Sequence, residues 1–475
     1  MSLNSFCFTE QLTFLKYVNE YYLFYSITLL TFASLFALVW ILQKYTYFEK
    51  IRLARASLPT FPYGNLKEVF KRETSLHVYL WKYYNRFKRK SCKYGGMFVF
   101  VKPALLIIDS AVSSKLNSDS ESFEHVVPRE SKLKREDVKK ILQQTGSLNN
   151  YIRKFCYSTQ GVLPEKLLKA DISTTFKDFL LEATCLAFGF KPLDVVDEIN
   201  ELLKQKYQTS YRFYLSLCIP WLRTKRDKLD NDLKEILMDI VESRKKNDSD
   251  EIDLIESFIS LYNSSEFAIR DISNELFHCF ADTLTFSHST LMMCLYELAG
   301  NREIQDEVLG EIRRFNKKNR NFDYENINEL TYLDAVVKET LRKYPPIATI
   351  ITCSKCKDKP SFDWYPDKNA LFFQSILGVQ RDPKNYTKPE AFEPDRFTES
   401  RTLDKDKNVY LPLGIGPMSD LYVKLITLQV KLVLASIFSQ LEVRFKGGTS
   451  SSLKYNPGLL YLCPNDDFQL EFSRF

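Results

Sequence analysis

Long apolar stretches predict three helices that dominate the chain. Residues 21–43 carry no charged side chain, and a run of this length is long enough to cross a bilayer as a helix. The segment Asp271–Gly300 keeps a helical period and ends at a glycine, a residue that favours the end of a helix. At the usual rise per residue this helix is roughly 45 Å long, so we expect it to run through the centre of a folded body. A third apolar helix is predicted over Leu421–Phe438.

Shorter patterns predict strands and further helices. Two runs of β-branched and aromatic residues, Phe98–Val101 and Leu105–Ile108, flank a polar turn segment and predict a β-hairpin. Asp109 is expected to cap a short helix that follows the hairpin. Thr331 and Asp334 are expected to form a capping box at the start of a later helix that stops at Pro345-Pro346. The region 120–265 is mostly helical by its period. The expected fold class is therefore mainly α with small β-sheets.

Composition and charge exclude some functions. The chain has 475 residues, of which 45% are hydrophobic and 27% charged, as in an ordinary globular protein with ample core. The net charge is +6, with basic and acidic residues mixed throughout. So small a surplus argues against dedicated nucleic-acid binding and allows weak attraction to an anionic membrane surface.

The charges that flank the apolar run predict its orientation. The basic residues that follow it are Lys44, Lys50, Arg52 and Arg55. The more positive flank stays in the cytosol. The predicted organisation is a short non-cytosolic tail (1–20), a transmembrane anchor (21–43), a basic, proline-containing linker (44–65) and a cytosolic body (66–475). The alternative is that the apolar run is a buried core helix.

Three motifs in the C-terminal third of the chain follow one another in a recognisable order. Glu339 and Arg342 lie one helical turn apart and can pair. Arg396 follows within Phe392-Glu-Pro-Asp-Arg-Phe397, and the Gly414-Ile-Gly-Pro417 loop then leads into the last long helix. At this spacing the motifs resemble the cytochrome P450 family, with its Glu-x-x-Arg helix, its arginine partner and its heme loop, F-G-x-G-x-R-x-C-x-G.

The resemblance covers roughly residues 58–470 and is nearest to insect microsomal detoxification-type members. It implies the cytochrome P450 fold, preceded by the N-terminal transmembrane helix, and a heme cofactor. It also implies NADPH–cytochrome P450 reductase as the electron donor, small lipophilic compounds as ligands, and the endoplasmic reticulum membrane as the location. Glu339, Arg342 and Arg396 would form a buried network that holds the segment before the heme loop.

The centre of the heme loop departs from the family pattern. Gly414 and Gly416 keep the loop glycines, but Asp420 occupies the position of the iron-ligating cysteine, and Met418 that of the propionate-binding arginine. A thiolate pushes electron density onto the iron and favours cleavage of the O–O bond. A carboxylate is a harder and weaker donor, so the change predicts lost or impaired monooxygenase chemistry.

A second heme-binding element is kept only in part. Arg153 matches the arginine of the family's W-x-x-x-R helix, while Asn149 stands in the tryptophan position. An exposed arginine on a helix surface explains Arg153 equally well. If heme is bound, the resemblance makes Arg153 a partner of its propionates.

The oxygen-activating motif of the central helix is also changed. The family's A-G-x-[DE]-T-T segment falls on Asp282–Ser287, so that Thr285, Phe286 and Ser287 fill the acid and hydroxyl positions. Proton delivery needs an acid beside a hydroxyl group and water, whereas Phe286 brings an apolar ring. A shifted reading would pair Asp282 with Thr283.

These changes leave several readings open. Asp420 can be a helix cap that fills a vacated ligand position, a weak iron ligand, or part of another arrangement. The leading hypothesis is a former monooxygenase that survives as a non-catalytic ligand-binding or interaction protein. One alternative is a monooxygenase that still binds heme and oxidises xenobiotics or endogenous lipids. Another is a heme protein that does not activate oxygen.

Overall fold

The structure is a computed structural model and describes residues 4–119, 122–127, 131–159, 162–168, 172–189, 207–209, 211–219, 238–239, 241–244, 253–264, 269–318, 322–355, 370–398, 409–448, 453–465 and 469–475. Within these ranges the α-helices are α1 (Asn4–Tyr45), α2 (Tyr47–Lys50), α3 (Lys67–Phe70), α4 (Leu76–Arg89), α5 (Ser110–Ser118), α6 (Arg135–Gln143), α7 (Thr145–Thr159), α8 (Val162–Leu167), α9 (Ile172–Phe188), α10 (Tyr211–Cys218), α11 (Leu254–Ser264), α12 (Ile269–Gly300), α13 (Arg302–Lys318), α14 (Thr331–Lys343), α15 (Ile376–Gln380) and α16 (Met418–Phe438). The strands are β1 (Tyr94–Val99), β2 (Lys102–Ile107), β3 (Phe123–Val127), β4 (Thr349–Ser354), β5 (Leu371–Ser375), β6 (Leu441–Phe445) and β7 (Leu470–Arg474).

The strands form two small sheets beside the helices. The larger sheet has the order β1-β2-β5-β4-β3, in which only β2 and β5 pair in parallel. The predicted hairpin is confirmed as β1 and β2, with Val99 opposite Lys102 beside the turn. The smaller sheet pairs β6 with β7 antiparallel. The fold is mainly α with small sheets, as the sequence predicts.

The central helix α12 runs through the middle of the core. It packs against α9, α16 and β6. Its C-terminal half is almost fully enclosed, with Leu291, Leu295 and Leu298 without exposed surface. The prediction of a long central helix is therefore confirmed, with a start two residues earlier than Asp271.

Two apolar helices are long enough to cross a membrane, and burial separates them. In α16 most of the apolar window, 83%, is buried inside the folded body, so this helix is part of the core. In the segment Tyr21–Tyr45 of α1 the corresponding window is 0% buried. This exposed apolar surface makes Tyr21–Tyr45 the candidate membrane anchor and argues against the alternative of a core helix.

The segment after the anchor packs closely against the larger sheet. The ring of Phe48 has no exposed surface and lies 4.9 Å from that of Phe98, centroid to centroid. The backbone of Gly96 exchanges hydrogen bonds with this segment, donating to Ala54 at 2.7 Å and accepting from Ala56 at 2.8 Å. The predicted linker therefore includes residues that belong to the folded body.

The start of α14 differs from the sequence prediction. Thr331 and Asp334 were expected to form a capping box, but no side chain at the capping residue bonds to the helix. Instead Glu311, from α13, accepts hydrogen bonds from the amides of Tyr332 and Leu333, at 2.8 and 2.9 Å. Free amides at a helix start attract a carboxylate from any part of the chain. Asp334 pairs with Lys338 instead, at 2.7 Å.

The buried side chain of His77 is expected to make the stability of the protein depend on pH. Its side chain is 1% exposed, its Nδ1 lies 2.9 Å from Thr349 Oγ1, and burial lowers its pKa to about 4. The unfolded chain takes up this proton near pH 6.5. The contribution of the buried neutral imidazole to the free energy of unfolding is thus fully present above pH 6.5. It falls by about 3 kcal/mol as the pH drops towards 4. Urea unfolding of the native chain and of His77→Gln across this range measures the difference, and His125→Gln is the control. Equal pH slopes for the native and His77→Gln chains would contradict the prediction.

Candidate functional site

A buried ion-pair network joins α14 to the segment before the glycine loop. Arg342 donates to both carboxylate oxygens of Glu339, from Nε at 2.7 Å and from Nη2 at 2.9 Å, and both side chains are 0% exposed. Arg396 Nε lies 3.4 Å from Glu339 Oε1. The structure therefore brings together the three side chains that the family resemblance groups.

The same arginine fixes the backbone that leads to the loop. Arg342 donates to the carbonyl oxygens of Gln380 and Pro389, both at 2.9 Å. The amide of Glu393 donates to Glu339 Oε1 at 2.9 Å. These charge-assisted bonds tie residues far apart in the sequence to one turn of α14 and so define where the following loop begins.

The loop itself depends on two glycines. Gly414 has a φ of 73° and Gly416 a φ of 116°, which side-chain-bearing residues rarely adopt. The loop is held by the Leu411 amide, which donates to Gln380 Oε1 at 2.7 Å, and by the Ile347 amide, which donates to the Pro412 carbonyl oxygen at 3.3 Å. It delivers the chain to the start of α16.

Asp420 lies inside the first turn of α16, and its side chain is exposed to solvent. The helix begins at Met418, and the residue before it is Pro417, which makes no side-chain cap. Asp420 is therefore not a cap, because a cap at this position would require the helix to start at Leu421, three residues later than it does. Its charge still suits the helix N-terminus. Met418, in contrast, is buried.

Arg153 and Asn149 form hydrogen bonds with other residues of the helix bundle. Arg153 is exposed, and its Nη2 donates to Asn150 Oδ1 at 3.0 Å. Asn149 Oδ1 accepts from the amide of Tyr324 at 2.8 Å. The geometry fits the alternative given for Arg153, an arginine on an exposed helix surface.

The oxygen-activation positions of α12 are packed into the core. Thr285, Phe286 and Ser287 are all buried, and the ring of Phe286 lies 6.0 Å from that of Tyr207. Asp282 accepts a hydrogen bond from the hydroxyl of the same tyrosine. Successive helix residues point about 100° apart, and the neighbouring Thr283 is fully buried, so the geometry does not favour the shifted reading.

A cavity of about 310 Å³ lies between α12 and the glycine loop. Its walls combine carboxylates, imidazoles, hydroxyl groups and apolar side chains. The described residues that line it are Asn117, His125, Ser131, Glu275, His278, Asp282, Leu413, Ile415, Gly416, Pro417, Met418, Ser419 and Tyr422. They include neither cysteine, lysine nor arginine. Of the predicted site residues, Gly416 and Met418 reach this cavity, whereas Asp420, Arg153 and the Thr285–Ser287 segment do not.

Comparison with known families decides the membership of the chain. The family model described as Cytochrome P450 matches residues 131–472, which is more than half of the sequence. The chain belongs to the cytochrome P450 family. The closest branch expected from the motifs, the insect detoxification type, agrees with the relatives found by similarity.

Several insect relatives resemble the chain over most of its length. It is 27% identical to cytochrome P450 6j1 of Blattella germanica, over 81% of this chain and 85% of that protein. It is 24% identical to cytochrome P450 6d3 of Musca domestica, over 91% of this chain and 95% of that protein. A shorter match, 32% identical to cytochrome P450 6l1 of Blattella germanica, covers 44% of the chain.

Heme is the cofactor of this family, but the residues around the cavity do not fit a heme-thiolate centre. The described lining residues include the carboxylates of Glu275 and Asp282 and no lysine or arginine that could pair with anionic propionates. The side chain at the axial position, Asp420, is exposed and does not line the cavity.

Tyr422 is a site residue that the sequence analysis missed. The family motif ends in a glycine two positions after the cysteine, and here that position holds a tyrosine. Tyr422 is only 7% exposed and lines the cavity, and burial raises the pKa of its hydroxyl well above the usual value. The sequence does carry a signal for this residue. The last position of the motif departs from the family pattern, as the cysteine and arginine positions do.

Proposed function

We propose that this chain is a membrane-anchored member of the cytochrome P450 family that has lost heme-thiolate monooxygenation and acts as a binding protein for small lipophilic compounds. The observation that carries the proposal is Tyr422, a buried tyrosine that lines the cavity at the position where the family motif has a glycine. The exposed side chain of Asp420 and the acidic lining support it.

We further propose the endoplasmic reticulum membrane as the location, with the body in the cytosol. The support is the apolar window within Tyr21–Tyr45, which is 0% buried, and the basic residues that follow this segment. In this arrangement the lipid phase supplies the lipophilic ligand directly to a body held at its surface.

The alternative is a working heme monooxygenase that takes electrons from NADPH–cytochrome P450 reductase. It is favoured by the intact network of Glu339, Arg342 and Arg396 and by the glycines of the loop. Those features maintain the fold, however, and of them only Gly416 lines the cavity. They are therefore equally expected in a protein that has kept the fold and lost the chemistry.

An absorption spectrum separates these functions. Full-length protein purified from heme-supplemented cells is expected to show no Soret band, because a tyrosine ring and two carboxylates occupy the walls of the cavity. A catalytically active family member prepared in parallel is the control. A red-shifted Soret band in the reduced, carbon monoxide-treated protein would overturn the proposal, since it reports thiolate ligation. An unshifted band would support a heme protein with a different iron ligand.

A further inference from the structure

The cavity between α12 and the glycine loop has two chemically different sides. Glu275 and Asp282 are seven residues apart on α12, which places their side chains on one face of the helix. The opposite side is apolar and is formed by Leu413, Ile415 and Met418 of the loop and the start of α16. A ligand that matches both sides has one charged end and one hydrocarbon end.

The first carboxylate is held in place by neutral donors. Glu275 accepts hydrogen bonds from the hydroxyl of Ser131 at 2.7 Å and from the amide of Lys132 at 2.8 Å. These bonds orient the carboxylate. The ammonium group of Lys132 is directed to Asp271, one turn earlier on α12, at 2.5 Å.

Tyr422 supplies an observation independent of the acidic residues. Its side chain is 93% buried, being 7% exposed, and it lines the cavity. Among the described residues its hydroxyl has no hydrogen-bond partner. The Tyr422 oxygen can therefore accept a hydrogen bond from a ligand in the cavity.

We propose that this cavity binds a small lipophilic amine in its protonated form. The ammonium group lies on the acidic side of the cavity, formed by Glu275 and Asp282, and donates to the Tyr422 hydroxyl, while the hydrocarbon part packs on the apolar loop side. The volume, about 310 Å³, suits a small compound. This inference rests on the proposed binding function and names the chemistry of its ligand.

Three ligands with one skeleton and different end groups test the charge preference. Isothermal titration of the full-length protein with phenylbutylamine, phenylbutanol and phenylbutyrate is expected to rank the amine first. The amine should bind about ten- to a hundredfold more tightly than the alcohol, because a hydrogen bond that involves a charged group is stronger than one between neutral groups. The carboxylate should bind least. Equal binding of all three, tighter binding of the carboxylate, or no binding of the amine would each overturn the proposal.

Variants assign the preference to this cavity. Glu275→Gln and Asp282→Asn are expected to reduce amine binding about tenfold each and to leave the alcohol unchanged. Unchanged alcohol binding shows that the variants are folded. Glu303→Gln is the matched control, because it removes an exposed carboxylate that does not line the cavity. Loss of amine binding in the control but not in the two cavity variants would place the site elsewhere and contradict the proposal.

The spectrum of the same preparation separates this inference from the proposed function. If there is no Soret band and the amine fails to bind, the cation site is wrong and the loss of heme chemistry stands. If a Soret band appears and shifts when the amine is added, the amine binds iron, and both the proposed function and the cation site are wrong.

Discussion

Replacing Glu339 by glutamine is expected to lower the free energy of unfolding by about 3–5 kcal/mol, the cost of leaving a buried charge without its partner. The carboxylate of Glu339 is 0% exposed and binds Arg342 through two hydrogen bonds. With the carboxylate gone, two buried guanidinium groups, those of Arg342 and Arg396, face a neutral amide. Urea denaturation followed by circular dichroism measures the change.

The control for this experiment is an ion pair of similar geometry on the surface. Lys318 donates to both carboxylate oxygens of Glu329, at 3.0 and 2.9 Å, but the two side chains are 68% and 44% exposed. Glu329→Gln is therefore expected to change stability by no more than about 1 kcal/mol. A loss of that size or smaller for Glu339→Gln as well would show that the network does not hold the fold.

Spacing along one helix explains why the pairing of Glu339 with Arg342 could be predicted and why the contacts of Glu311 could not. The pairing of Glu339 with Arg342 follows from their spacing on one helix, and the family resemblance added Arg396. The helix cap supplied by Glu311 has no local signal, because this residue lies on a different helix from the amides that it binds. Capping predicted from neighbouring residues alone therefore chose the wrong side chain at Thr331.

The sequence also leaves open the direction in which a side chain points. The motif positions of Arg153 and Asp420 follow from the family spacing, yet both side chains point to solvent in the folded chain. Tyr422, two residues after Asp420 and thus about 200° around the helix, lines the cavity instead. Because α16 begins three residues before Leu421, Asp420 belongs to the first helical turn and is not its cap.

Heme binding should be recovered by three changes together, Asp420→Cys, Met418→Arg and Tyr422→Gly, and not by the first two alone. The first two restore the thiolate and a propionate partner, but Tyr422 still fills part of the cavity. Removing the ring opens that space, although glycine inside a helix costs about 1 kcal/mol and the lost packing adds to it. We expect the triple variant to hold about tenfold more heme than the double variant, measured as Soret absorbance per chain.

A matched triple variant with serine at position 420 separates the opening of the cavity from the ligation of iron. It has the same enlarged space and the same arginine, but an alcohol in place of the thiolate donor. Only the cysteine form should give the red-shifted band of a thiolate-bound heme under carbon monoxide. If the double variant already takes up as much heme as the triple variant, Tyr422 does not close the site. The side chain at position 420 would then turn inward when heme is present, and the loss of heme would lie in the missing thiolate and arginine.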